Sequence, residues 1–197
     1  MTVELQTIRQ FLSSYQRDPI DTRGLTRASV LMLLFLKAGE LHLLLTKRTE
    51  DVEHHKGQIS FPGGTQDDED SDSIATALRE AEEEVGLLRN QVCVLGVLDD
   101  YATPTGFVIT PVVGYVETLP ALQMNEQEVA ELIEVPLAAF QGMGKETVRR
   151  MERNGVVRDV YFYYYQGHEI WGVTAAMIRL FLDELNTGRD DHQKKSL

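Results

Sequence analysis

Three glutamates, Glu80, Glu83 and Glu84, stand at i, i+3 and i+4 in the run Arg79-Glu80-Ala81-Glu82-Glu83-Glu84. On a helix this spacing turns all three carboxylates to one side. Like charges placed so destabilise an isolated helix by roughly a few tenths of a kcal/mol per pair. That repulsion vanishes if a divalent cation sits among them. Carboxylate oxygens with no Cys or His cluster nearby suit Mg²⁺ or Mn²⁺ rather than zinc. Arg79 cannot ligate a metal, but its guanidinium can fork onto Glu80 or Glu83 and hold a rotamer. Upstream, Phe61-Pro62 leads into Gly63-Gly64. Glycines there let a backbone carbonyl or amide come close to a metal-bound phosphate. A solvated acidic face is the alternative for any Glu-rich helix; the glycine turn before this one favours the metal.

These groups need elements to hold them. Ile74, Leu78, Ala81 and Val85 form one apolar stripe that predicts a helix over 73–85, ended by Gly86. Residues 28–36 and 41–46 read as near-continuous apolar strands across a turn at 37–40, which implies burial on both sheet faces. A charged, glycine-containing loop is expected from 47 to about 73. Further strands are expected at 92–98, 108–116 and 157–165, the last pairing with 168–171 across Gln166-Gly167. Amphipathic helices are expected near Leu5, Ile8, Leu12 and Tyr15 and over 174–185. Strands interleaved with helices give a layered α/β fold with a mixed sheet. The chain reads as a single domain of residues 1–197, with a helical extension at 1–27, a core at 28–186 and a flexible tail at 187–197.

With 19 Lys plus Arg against 31 Asp plus Glu, the formal charge is −12. That balance argues against binding a nucleic-acid backbone, which needs clustered cations. An anionic substrate would then be drawn by a metal ion rather than by net charge. The longest apolar run, 30–36, is far too short to span a bilayer. No basic-then-apolar leader is evident. The single cysteine, Cys93, excludes an internal disulfide framework, fits a reducing compartment, and reads as a packed small hydrophobe. The expected location is cytoplasmic. A homodimer is left open.

The run from Arg79 to Leu87 resembles the end of the Nudix box, G-x5-E-x7-R-E-U-x-E-E-x-G-U, with Ala81 at its first bulky position. In the front half, Gly64 falls one residue early and Asp70 is the nearest acid; one inserted residue with Asp for Glu repairs both. That variant, together with residues 44–48, 57–58 and 61–64, is similar to the coenzyme A pyrophosphatase branch of the family. So are 105–107, 110–114, 126–136 and 171–175.

The resemblance implies a Nudix α/β/α sandwich with a loop–helix–loop box. It implies hydrolysis of the diphosphate of coenzyme A or a derivative, giving 3′,5′-ADP and 4′-phosphopantetheine. Arg79, Glu80 and Glu83 are then the expected catalytic set, with Glu80, Glu83, Glu84 and the Gly64 carbonyl around Mg²⁺ or Mn²⁺. Arg48, His55, Gly57, Gln58 and Gly63 are expected against substrate, with Glu128 as a loop carboxylate beside Glu126 and Glu131. Glu53 stands where the branch has Arg, which reverses the sign of a phosphate contact. His54 is expected to be simply exposed. The row Tyr161-Phe162-Tyr163-Tyr164-Tyr165 is explained by alternate residues facing the core. Two rival functions are hydrolysis of another nucleoside diphosphate derivative, such as ADP-ribose or a dinucleotide, and a non-enzymatic nucleotide sensor.

Overall fold

Alternation along two adjacent apolar strands sets the layers. The computed structural model describes residues 4–50, 57–141, 146–153 and 155–194. Helix α1 (Leu5–Ser14) precedes strands β1 (Thr26–Lys37), β2 (Glu40–Arg48), β3 (Ile59–Ser60) and β4 (Gly63–Thr65). Helix α2 (Ser73–Val85) follows, then β5 (Cys93–Val97), β6 (Tyr101–Ala102), β7 (Phe107–Val116) and β8 (Val129–Pro136). A hairpin of β9 (Glu146–Arg153) and β10 (Val156–Tyr165), then β11 (His168–Trp171) and α3 (Gly172–Lys194), complete the described chain.

Successive strand residues point to opposite faces. In β1, Val30, Met32 and Leu34 join α1 and α3 in one core, while Leu31, Leu33 and Phe35 join α2 in the other. β2 repeats the division, with Leu43 and Leu45 on the first side and Leu44 on the second. The sheet therefore lies between helices, an α/β/α sandwich, as the sequence predicts. The sheet is mixed: β1 runs parallel to β7 and antiparallel to β2 and β4. A separate antiparallel sheet has the order β11-β10-β9.

The site is positioned where β1 and β2 part. Their pairing covers Leu34 to Lys37 against Leu43 to Glu40, beyond which β3 pairs with the end of β2 and β4 with the start of β1. The expected loop from 47 to 73 thus contains two short strands. The closing helix also begins at Gly172 and runs on through Lys194, into the stretch expected as a tail. Cys93 is a correction: it is exposed rather than packed, because it is the first residue of β5 and the core contacts begin after it, at Val94, Leu95 and Val97. Tyr161, Tyr163 and Tyr165 pack on the α1–α3 core, as alternation requires, while Phe162 on the opposite face is also buried, stacked on Trp171. No helix among the described residues is long and apolar enough to cross a membrane.

Candidate active site

Asp72 starts α2 by accepting a hydrogen bond from the Ala75 N–H at 2.8 Å, and Gly86 ends it in the left-handed conformation at φ 70°. Ala77 and Ala81, one turn apart and fully buried, bring the helix close to the sheet. That contact leaves the Glu80–Glu83 side of the helix facing the β3–β4 segment.

Arg79 is the hub of this side. Its Nε and Nη2 donate to Asp70 at 3.1 and 2.9 Å, and Nη2 also donates to the Thr65 carbonyl at 2.9 Å. Nη1 donates to both Glu80 and Glu83 at 3.0 Å. One planar guanidinium therefore ties the acidic turn, strand β4 and two box glutamates together, a geometry that needs the fork. Hydrogen bonding from Arg79 holds the Asp70 carboxyl down at about 2.

Glu84 is the unusual group. Its side chain is 4% exposed, and each partner contact is long: Arg48 Nη1 and the Gly63 N–H both stand 3.4 Å from its oxygens. Burial pushes its carboxyl up to about 8, despite the nearby Arg48 charge. Burial also raises Glu80, with Arg79 acting against the shift. The Nε of Arg48 is buried with no hydrogen-bond partner among the described residues. Glu84 and the Arg48 guanidinium are thus both short of hydrogen-bond partners where they are buried, which a folded chain ordinarily avoids.

The two glycines divide the work. A Cβ on Gly63, at φ 156°, would lie 2.4 Å from the Ser29 carbonyl oxygen and 2.7 Å from Val30 Cα. A Cβ on Gly64 would instead meet the Glu80 carboxylate at 2.5 Å. We expect Gly63→Ala to lower the melting temperature sharply, because the Ser29 and Val30 backbone of β1 would have to move aside. Gly64→Ala should leave the melting temperature nearly unchanged and displace Glu80, so its loss appears in turnover. Thermal melts and initial rates on the pair would reveal an error if both lost stability equally.

A second wall comes from far along the sequence. The N–H groups of Gln123 and Asn125 donate to the Val85 and Glu84 carbonyls at 3.0 and 2.9 Å, satisfying the end of α2. This places the turn before β8, with Glu128, close enough to Glu80 and Glu84 to raise both carboxyls electrostatically.

A family model supplies the frame for this arrangement: the NUDIX domain matches residues 25–155. This chain belongs to the Nudix family. A relative from Yersinia enterocolitica serotype O:8, named "uncharacterized Nudix hydrolase NudL", is 37% identical over 184 residues, covering 92% of this chain and 94% of its own. A protein of the same name from Photorhabdus laumondii is 42% identical over 151 residues, covering 77% and 80%. A solved Nudix hydrolase from M. smegmatis, RenU, shares the fold at a TM-score of 0.50 and 24% identity, over 58% of this chain and 72% of that one. The chain is accordingly a Nudix pyrophosphohydrolase, acting on a nucleoside diphosphate derivative with divalent cations, as such hydrolases generally do.

Among the described residues, no three acidic, histidine or cysteine side chains are grouped closely enough to hold a metal. The expected convergence is partial because arginines satisfy the carboxylates separately. Glu83, whose side chain is 56% exposed, leans on Arg79, whereas Glu84 is tucked beneath Arg48. The donor chemistry still fits a hard cation: oxygen ligands alone, one of them buried and poorly held, and a glycine against Glu80 that leaves no room for a side chain.

Of the remaining expected residues, Gly57 and Gln58 lie at the neck of the segment after β2, where the Gln58 carbonyl accepts from the Arg48 N–H at 2.9 Å. A Cβ on Gly57, at φ 63°, would clash with the Glu50 carboxylate. Glu131 is drawn away to His168 Nε2 at 3.4 Å. Glu53, His54 and His55 lie outside the described residues. Sequence reasoning did not single out Asn125, whose Oδ1 accepts from the Gln127 N–H at 3.2 Å in the turn before β8; an Asn ahead of a polar stretch is the signal for such an Asx turn.

Proposed function

We propose that the substrate is coenzyme A or a close derivative, cleaved at its diphosphate to 3′,5′-ADP and 4′-phosphopantetheine. One observation carries this reading. The segments whose sequence resembles the coenzyme A branch, the end of β2 and the β3–β4 turn, touch the α2 glutamates through Arg48 and Gly63 on Glu84 and Gly64 on Glu80.

In this reading Glu80, Glu83, Glu84 and the Gly64 carbonyl hold Mg²⁺ or Mn²⁺. When bound, the ion neutralises charge on the diphosphate and acidifies an attacking water. Arg48 turns its unsatisfied Nε to a phosphate oxygen, and Arg79 keeps Glu80 and Glu83 in place as catalytic carboxylates. His55, Gly57, Gln58 and Gly63 border the substrate, and Glu128 faces the water. Water adds to one phosphorus, the bridging P–O bond breaks, and the oxygen leaves on the other phosphate, a displacement governed by positioning and electrostatics. The lone cysteine fits a cytoplasmic setting.

The test is a comparison of kcat/KM for coenzyme A, ADP-ribose and NADH under Mg²⁺ or Mn²⁺. Coenzyme A should be preferred. Glu53→Arg should lower its KM, with less effect on 3′-dephospho-coenzyme A, and the gain should shrink as rising salt shortens the screening length, about 8–10 Å at physiological strength. Equal or better kcat/KM on ADP-ribose would favour the rival reading, a hydrolase of other nucleoside diphosphate derivatives.

A further inference from the structure

Asn125 is bonded more heavily than an ordinary turn residue. Its N–H donates to the Glu84 carbonyl at 2.9 Å, which fixes it to the last turn of α2. Its own carbonyl accepts from the N–H groups of Glu128 and Val129 at 3.0 and 2.8 Å. Its side-chain Oδ1 accepts from the Gln127 N–H at 3.2 Å, closing an Asx turn. That leaves Nδ2, which donates to Glu128 Oε1 at 3.1 Å. The far side of the turn is pinned to the end of β2: the Thr49 N–H donates to the Glu128 carbonyl and its hydroxyl to the Gln127 carbonyl, both at 3.0 Å.

The consequence is mechanical. Glu128 lies more than forty positions after Glu84 in the chain, yet the turn that carries it is bonded to Glu84's own backbone. Gly86 makes the approach possible, since a Cβ there would stand 3.1 Å from the Gln123 backbone in addition to disfavouring φ 70°. A carboxylate on a free loop would swing away from three like charges. Here one amide N–H holds it by a charge-assisted bond.

Resting on the hydrolase reading above, we propose that Asn125 is a positioning residue that locks the Glu128 carboxylate over the α2 glutamates, making it a member of the metal–water site. Asn125 touches neither ion nor substrate; it acts through Glu128, as partners behind metal ligands commonly do.

Asn125→Asp tests this cleanly. The aspartate keeps the Oδ1 acceptor of the Asx turn and the backbone bonds, but replaces the donor to Glu128 with a repelling oxygen. Mn²⁺ affinity by electron paramagnetic resonance, kcat, KM and melting temperature are measured for Asn125→Asp, Glu128→Gln and the double variant. Asn125→Asp should weaken Mn²⁺ binding or lower kcat by about tenfold or more, with KM and melting temperature little changed. In the Glu128→Gln background the same change should add nothing, because the group it acts through is gone. Parent-like Mn²⁺ affinity and kcat in Asn125→Asp would overturn the proposal, as would effects that simply add in the double variant. If Asn125→Asp proved unstable, Glu128→Gln alone decides: parent-like Mn²⁺ binding and kcat there also overturn it. A parent that cleaved no coenzyme A would refute the substrate reading and leave the Mn²⁺ comparison standing.

Discussion

Replacing Glu83 or Glu84 with glutamine should lower turnover at least ~10²-fold, the scale of losing a key electrostatic group in other active sites. Glutamine keeps the shape and removes the charge that a hard cation requires. For Glu84 the structure adds a second expectation. Its carboxyl is pushed from the ordinary 4.5 up to about 8 by burial. Between those values folding takes up a proton, so the metal-free parent should lose stability as pH rises across that window. Glu84→Gln abolishes that titration. In excess chelator its urea midpoint should therefore fall less than the parent's between pH 5 and pH 8, while added Mn²⁺ should stabilise the parent more. A Glu84→Gln protein that remained fully active would remove Glu84 from the metal site and leave it a buried structural carboxyl. Parallel pH curves would contradict the buried-carboxylate description.

Arg79→Lys should cost about 10- to 100-fold in turnover or metal affinity, although the charge is kept. The guanidinium reaches Asp70, Thr65, Glu80 and Glu83 at once, and an ammonium on a flexible stem cannot reproduce that planar set. Asp70→Asn should show a milder version of the same defect, since Asn can still accept from one guanidinium nitrogen. Steady-state kinetics and Mn²⁺ titration read both. A lysine variant equal to the parent in each would mean that Arg79 does not orient the cluster.

The legible parts of the fold are those that a local pattern determines. β1 and β2 stand out because burial on both faces makes them continuously apolar. α2 stands out because its apolar stripe and its terminal glycine agree with one another, and the structure adds the Asp72 cap, which the sequence reading did not single out. β8 was hidden: Glu131 and Glu134 interrupt it, and it owes its place to pairing with β2. β9 is hidden for a similar reason, as its charged residues gain order from β10 rather than from a core. β3 and β4 are too short to carry a pattern and form because β1 and β2 diverge and leave edges to be paired.

The same division runs through the site. Arg79 and its glutamates lie within two turns of one helix, so their spacing shows them. The insertion that moves the first acid to Asp70 is also readable, and the structure places Asp70 against Arg79. The exposed carboxylate of Glu83, the tucked one of Glu84 and the bonding of Asn125 to the end of α2 depend on tertiary contacts that spacing does not encode. Helix periodicity supplies a direction for a side chain, and the depth at which it lies is decided by what packs over it.

Cleavage of a coenzyme A diphosphate by the α2 glutamates and a divalent cation is the proposal on which the rest depends. Its most direct test is product analysis after incubating the full chain with coenzyme A, with Mg²⁺ or Mn²⁺ and, in parallel, with excess chelator. With metal, 3′,5′-ADP and 4′-phosphopantetheine should appear in equal amounts, and in chelator neither should form. Full cleavage in chelator would contradict the metal chemistry, and intact coenzyme A beside hydrolysed ADP-ribose would contradict the substrate.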